Sequence, residues 1–530
     1  MMALLAGCSG GSGGDESTRT EISTNAITFN ATVTDAAAPA SQVFTATFGS
    51  DIAHLGVVHT GAAVNTVTSV MNGRSATITV APAAPGTVGP GAFVGAVAVT
   101  GYTCADATCS KLAAGPTSTV SINYQVSPVV QLVTPYVATS GTSDDVVIRG
   151  IGFTSFNVQG VRFGDVAATA YGIPTGSTTE IRATHPALAA GSYPVRLVAS
   201  NHQGDIPTTA TLVVVDPTTY AATTLPYPSP TSAVRRVIYD AERRALLVVN
   251  DAAGSVVRYQ YSGSAWGAPT AVAAGLSDAA LSAKGTSLYG ITSTGFVPVD
   301  PVTLTVGTAV AAPSLPTDAV LKNIVVGNDD VGLITTGRTA NSTPTNVYLY
   351  LSASNTLAQT GTAFNNAMPV MAANGAIAYL TQSDASFTAD VGVGRYVVAG
   401  NSFSTSGAVL ARQNAVSPAI SRNSNRLVIN GATVYDGTEA VLGLLPGTTA
   451  AAALKPDGTR VYTYDPPNGG IVTYDISLGH PVSGGYPSLG PIVPLAGDPG
   501  SNVQMTISPD GLTLFLAGST QVVVQPTPAQ

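Results

Sequence analysis

Lys455-Pro-Asp-Gly458-Thr-Arg-Val-Tyr462 and Ser508-Pro-Asp-Gly511-Leu-Thr-Leu-Phe515 are two copies of one theme, a polar tight turn between two apolar runs. Weaker copies begin at Tyr239, Ser282, Gly327, Ala373 and Ser421. In such a turn the Asp side chain bonds its own downstream backbone and Gly supplies the left-handed position, so each copy reads as the same β-hairpin. The copies lie about 35 to 50 residues apart and number about seven, the length and count of four-stranded propeller blades. The stretch from Tyr220 to Pro526 is therefore expected to be a β-propeller.

Composition agrees with an all-β chain. At 530 residues the sequence is too long for one core and divides into several domains. Hydrophobic content is an ordinary 45%, but charged residues make up only 9%, far below the usual quarter. Ser, Thr and Asn carry the polarity, and with Gly 56 and Pro 35 this suits short strands joined by many turns. No run shows sustained helical periodicity. Net charge is −8 with 21 scattered Lys plus Arg, so there is no basic stripe to replace the counterions of a phosphate backbone. Beyond the extreme N-terminus no apolar run is long enough for a spanning helix.

From about Glu21 to Val126, apolar residues fall on every second position in Ala26–Val33, Gln42–Phe48, Ala76–Val80, Phe93–Val99 and Thr119–Val126. Each strand then buries one face against a second sheet, which makes an immunoglobulin-like sandwich. The next segment carries Pro135-Tyr-Val-Ala-Thr-Ser-Gly141, Val146-Val-Ile-Arg-Gly-Ile-Gly-Phe153, Val161-Arg-Phe-Gly164 and Ala189-Ala-Gly-Ser-Tyr-Pro-Val-Arg-Leu197. Gly150 and Gly152 allow a sharp turn ahead of a buried Phe153, and Gly164 closes a tight hairpin. That order resembles the IPT/TIG domain, an immunoglobulin-like fold whose members act as spacers or interaction modules and in some proteins contact DNA. Lacking a basic surface, this copy keeps the former implication alone.

The propeller theme resembles the YVTN-like family of bacterial propellers, most closely in the blades holding Lys455–Gly458 and Ser508–Gly511. The last blade shows three strands, near Val503–Ile507, Thr513–Ala517 and Gln521–Gln525. The segment around Tyr220–Thr224 is expected to supply the fourth, because pairing the two ends of the ring removes its free edges.

At the N-terminus, Leu5-Ala6-Gly7-Cys8 resembles the lipobox of bacterial lipoproteins, and Ser9-Gly-Gly-Ser-Gly-Gly14 suits a flexible tether. The resemblance implies lipidation of Cys8, a signal peptide and an envelope location. The charged n-region is missing and the h-region is a stub, which places the true start upstream of Met1; if Met1 is the start, Cys8 is a small residue in a tail. Ser9 in place of an aspartate directs the expectation to the outer membrane or cell surface. There are 3 cysteines, and Cys104-Ala-Asp-Ala-Thr-Cys109 reads as a short-range disulfide, in keeping with export.

Chemistry is sparse. The five histidines are His54, His59, His185, His202 and His480, and only the last lies in the propeller, in a Gly-rich loop where an exposed side chain is the default. Asp144-Asp145 and Asp329-Asp330 sit at turns, where Asp bonds its own downstream backbone without a metal, and neither begins a calcium loop. The sole tryptophan, Trp266, reads as a loop residue between blades and argues against a quinone cofactor held by stacked indoles. No Gly-x-Ser-x-Gly elbow with a partnered histidine is present. The 20 tyrosines suit a binding face, although Tyr259, Tyr289, Tyr348, Tyr379, Tyr462 and Tyr474 fall at strand positions and read as blade core or rim.

The expected organisation is a lipobox and tether over 1–20, an immunoglobulin-like sandwich over 21–127, an IPT/TIG-like domain over 128–216 and a propeller of about seven blades over 217–530. The expected role is non-enzymatic binding, adhesion or scaffolding of an envelope or extracellular protein or glycan, without cofactor or catalytic and metal residues. The ligand would sit on a propeller face or where the second sandwich meets the propeller. The alternative is a lactonase-like propeller hydrolase, which requires two or three carboxylates to converge on the central channel.

Overall fold

A computed structural model of the chain describes residues 20–529 apart from 155–157, 199–205, 207, 230–232, 252, 313–314, 317, 339–344, 364–366, 382–391, 409–415, 448 and 482–483. Cys8 and its tether, and His202, lie outside the described residues. The architecture is all-β, and among the described residues no helix is long and apolar enough to cross a membrane.

The first sandwich stacks two four-stranded sheets. One runs Thr20–Ile22, Gln42–Phe48, Ser75–Pro82, Val64–Asn72; the other runs Ala26–Thr32, Leu112–Ser127, Gly91–Cys104, His54–Thr60. Alternate residues such as Phe29, Phe44, Ile78, Val97 and Ile122 face inward and make one dry core. Burying each such side chain contributes about 1.5–3 kcal/mol. Thr20–Ile22, His54–Thr60 and Val64–Asn72 did not stand out in the sequence. The last two are edge strands with mostly exposed side chains, so they carry no apolar alternation. Cys104 and Cys109 form a disulfide that closes the far end of the long hairpin.

The second sandwich packs a five-stranded sheet against a four-stranded one around Ile148, Phe153, Phe163, Ile181 and Leu212. Gly150 sits at a bulge where a Cβ would stand 2.0 Å from the Val129 carbonyl oxygen and 2.4 Å from the Phe153 ring, so the chain folds over that ring only without a side chain there. His185 is wholly buried in this domain, its Nδ1 2.8 Å from the Pro186 carbonyl oxygen.

Seven antiparallel four-stranded sheets follow. The innermost strand of each, in blade order, is Val234–Asp240, Asp278–Leu281, Ala319–Val326, Met368–Met371, Ala419–Ile420, Ala451–Leu454 and Gln504–Ile507. All seven turn copies join a first strand to a second, so they lie together on one face of the ring. Buried aliphatic side chains from adjacent blades interleave; Leu247 and Val249 of blade 1, for example, meet Leu288 and Val299 of blade 2.

The ring closes through Thr223–Pro226, which pairs with Gln521–Pro526 and completes blade 7 as its outermost strand. Tyr220 just before it enters a knot of rings with Tyr239, Tyr261, Trp266 and Phe515; Tyr239 stacks on Phe515 at 4.6 Å and its hydroxyl meets that of Tyr220 at 2.6 Å. Trp266 belongs to the loop joining the third and fourth strands of blade 1, not to a connection between blades. Being wedged against the closing strand, it serves the seam. Tyr259, Tyr379, Tyr462 and Tyr474 are buried in blades.

Candidate functional site

The face that carries the turns is covered by the second sandwich. Tyr136 lies over blade 2, its ring occupying the space where a Cβ on Gly285 would be. Burial pushes the Tyr136 phenol far up, and Asp240 and Glu242 of the blade 1 turn add to that. Arg149 donates from Nε (3.0 Å) and Nη2 (2.8 Å) to Asn328 Oδ1 on the blade 3 turn. Its guanidinium is held from behind by Glu180 at 3.1 Å, which also accepts from Arg182 Nε at 2.8 Å. Arg422 of the blade 5 turn donates to the Val137 carbonyl at 2.7 Å, and the Thr218 amide donates to Asp510 on the blade 7 turn at 2.7 Å. Contacts thus reach turns all around the ring.

The turns also clasp one another. Asp330 accepts from the Ala283 amide at 2.8 Å and from the Tyr289 hydroxyl at 2.9 Å, both on blade 2. Its expected bond to its own downstream backbone is replaced by this cross-blade clasp, because its backbone is left-handed at φ +60° and turns the carboxylate toward the neighbour. Asp329 does bond downstream, to the Val331 amide at 3.1 Å. Asp144 instead accepts from the Thr142 hydroxyl at 2.9 Å and Asp145 from the Thr184 hydroxyl at 2.6 Å. The Asp457 and Asp510 turns follow expectation, accepting from the Thr459 amide at 2.9 Å and the Leu512 amide at 3.0 Å. His480 is a half-buried loop residue packed against Tyr486, not the exposed one expected from its Gly-rich loop.

Among the described residues nothing covers the opposite face. The N-terminal ends of the innermost strands converge there on a cavity of about 630 Å3 lined by Val234, Arg235 and Asp251 of blade 1, Met368 of blade 4, Val416 of blade 5, Thr449 of blade 6 and Gln504 of blade 7. This is the mouth of the central channel. The innermost strands carry five charged residues, Arg235, Arg236, Asp240, Asp278 and Lys322. Asp278 is wholly buried and is clamped in two-point fashion by Arg236, with Nε at 2.9 Å, while also accepting from the Ile324 amide at 3.0 Å. Asp240 is bound by Arg243 at 2.7 Å. Both acids are thus spoken for, and among the described residues no three His, Cys, Asp or Glu side chains come together as a metal site.

Arg235 and Lys322 make no hydrogen bond or ion pair among the described residues, and Arg235 Nε is fully shielded from solvent. Each is the extra residue of a β-bulge, opposite Asn250–Val249 and Thr336–Thr335 respectively. A bulge re-aims a side chain relative to the regular alternation. The sequence alone did not single out either residue. The sequence signal reaches only as far as the basic positions of the first strands, Arg235, Arg236 and Lys322; which of them has an acidic partner is a tertiary fact.

A second cavity of about 630 Å3 lies at the junction, between the edge strand Ala170–Gly172 of the second sandwich and Ile377 and Arg395 of blade 4.

Residues 128–220 match the model of the IPT/TIG domain. No curated protein sequence matches the chain. Among solved structures, hydrazine synthase of Kuenenia stuttgartiensis is similar at 14% identity and TM-score 0.42, over 59% of this chain and 99% of that one. The Cps50 (Swd1) β-propeller domain of Myceliophteria thermophila is similar at 8% identity and TM-score 0.41, over 58% and 100%. An auxiliary nutrient binding protein of Bacteroides ovatus is similar at 12% identity and TM-score 0.38, over 76% and 98%. These likenesses are remote and bear on no activity.

Proposed function

We propose that the chain is a non-enzymatic binding protein of the bacterial envelope, which receives its ligand on the free face of the propeller. The carrying observation is the asymmetry of the ring: the face with the turns is closed by Tyr136, Arg149 and Val137 of the second sandwich, while no described residue covers the opposite channel mouth. A domain bonded to several blades acts as a rigid mount, and a rigid mount leaves the far face for a partner. Lipidation at Cys8 would anchor the assembly to the outer membrane through the Gly/Ser tether, with the propeller outermost. The Cys104–Cys109 disulfide supports export, since such bonds persist in oxidising compartments. A lactonase-like reaction finds less support, because the two acids of the innermost strands are both held in ion pairs and Asp251 is the one carboxylate among the described residues lining the mouth, where two or three would have to converge.

The test uses the full chain and separated envelope components: peptidoglycan, lipopolysaccharide and detergent-extracted outer-membrane proteins. Saturable binding to one of them should be lost in Pro467→Glu, at the mouth, and kept in Leu478→Glu, an exposed position on a loop of the covered face. Binding that is lost only in Leu478→Glu, or protein-dependent turnover of a simple lactone such as γ-butyrolactone, overturns the reading.

A further inference from the structure

We propose that the open channel mouth binds the carboxylate of an apolar-bodied ligand, with Arg235 as its counter-charge; this rests on the free face being the ligand face. The chemistry is shared by a medium-chain organic acid and by the C-terminus of an extended peptide.

Charge accounting on the innermost strands leads there. Asp278 bonds Arg236 and Asp240 bonds Arg243, so Arg235 and Lys322 remain as cations with no bonded acid among the described residues, Asp278 and Asp251 acting on Arg235 only through space. Burial pushes the Arg235 guanidinium pKa down, and Asp278 and Asp251 oppose this only in part. A guanidinium taken partly out of water without a bonded acceptor is costly, and arginine, with a fixed planar fork, matches a carboxylate in two-point fashion. The bulge at Arg235 departs from regular pairing at this one point of the strand, the device by which a strand redirects a side chain at the cost of a ladder bond. A residue placed at such a point and left unbonded is arranged for something that arrives from outside.

The rest of the cavity specifies the ligand's body. Val234, Met368 and Val416 are apolar walls, and the Gln504 side chain, bonded to the Ser417 hydroxyl, adds a polar group at the rim. The Asp251 carboxylate also lines the cavity and repels a like charge, so the ligand's carboxylate is placed on the Arg235 side, away from it. A volume of about 630 Å3 suits a small molecule or two to four residues of a chain end. A polyanion such as a nucleic acid fits poorly, because the cation is recessed in an apolar mouth instead of spread over a surface.

The experiment is calorimetric titration of the full chain with hexanoate and N-acetylvaline, each beside its primary amide. The acids should bind at least tenfold more tightly than the amides, and Arg235→Gln should abolish that preference while Arg162→Gln, on the second sandwich, leaves it intact. If Arg235→Gln does not fold, Arg235→Lys serves, and should weaken the acids several-fold by keeping the charge without the fork. Binding of hexanoate alone identifies a small acid as the source; binding of N-acetylvaline alone identifies a chain end. Equal binding of acids and amides, no binding of any probe, or an acid preference that survives Arg235→Gln overturns the carboxylate assignment. A preference abolished by Arg182→Gln at the junction instead overturns the free-face reading itself.

Discussion

Tyr136 and Gly285 interlock across the domain junction: a Cβ added to Gly285 would stand 2.0 Å from Tyr136 Cζ and 2.1 Å from its hydroxyl oxygen. Gly285 is also left-handed at φ +69°. The repeat residue that shapes the blade 2 turn therefore also makes the socket for the neighbouring domain.

Gly285→Ala should cost about 1 kcal/mol or more from backbone strain alone and should in addition push Tyr136 out of its seat. Limited proteolysis of the segment between second sandwich and propeller should speed up, and small-angle scattering should report a larger radius of gyration. Tyr136→Ala should loosen the junction without straining blade 2, so the two variants separate docking from turn geometry.

Asp278→Asn should destabilise the propeller by about 3 kcal/mol, because it leaves Arg236 charged, largely buried and without its partner. Urea unfolding would show a lower midpoint at unchanged slope. Asp436→Asn, in an exposed turn, should cost far less.

Alkaline pH should unfold the chain between about pH 10 and 12. Burial pushes the Tyr289 phenol up to about 12, and burial followed by the nearby Asp329 carboxylate pushes Tyr396 up to about 12. Both stay neutral in the fold but ionise near pH 10 once unfolded. Their stabilisation is complete below that value and is lost as pH rises through the folded value. Phenolate absorbance followed against circular dichroism should show the ionisation of these tyrosines coinciding with loss of structure.

Removing the Cys104–Cys109 disulfide should cost no more than about 2 kcal/mol, since the closed loop is short. Cys104→Ser with Cys109→Ser should leave the propeller untouched, and hydrogen exchange should quicken only at the far end of the hairpin between Gly91–Cys104 and Leu112–Ser127.

The turn copies make the propeller legible in the sequence. Lys455–Gly458 and Ser508–Gly511 announce themselves through Pro, Asp and left-handed Gly, and local backbone demands of that kind are written in adjacent residues. The strand that closes the ring was inferred near Tyr220–Thr224 from a missing fourth strand and is found at Thr223–Pro226. The exposed edges of the first sandwich escaped, because a strand that buries little has no reason to alternate.

The candidate site was hidden for a different reason. Arg235-Arg236 in the sequence is an ordinary basic pair, and nothing nearby says that one is clamped by a residue 42 positions later while the other has no bond among the described residues. Which cation is neutralised depends on the lateral packing of blades 1 and 2 and on a bulge fixed by the register of the partner strand. By itself the sequence determined the hairpins, their approximate number and the all-β class, since these follow from backbone preference and apolar period within a few residues, while the count of seven blades comes from the sheets themselves. Only the tertiary structure decided which propeller face is covered, which is open and where charge is left unpaired, because those depend on distances between residues that the chain separates by a blade or more.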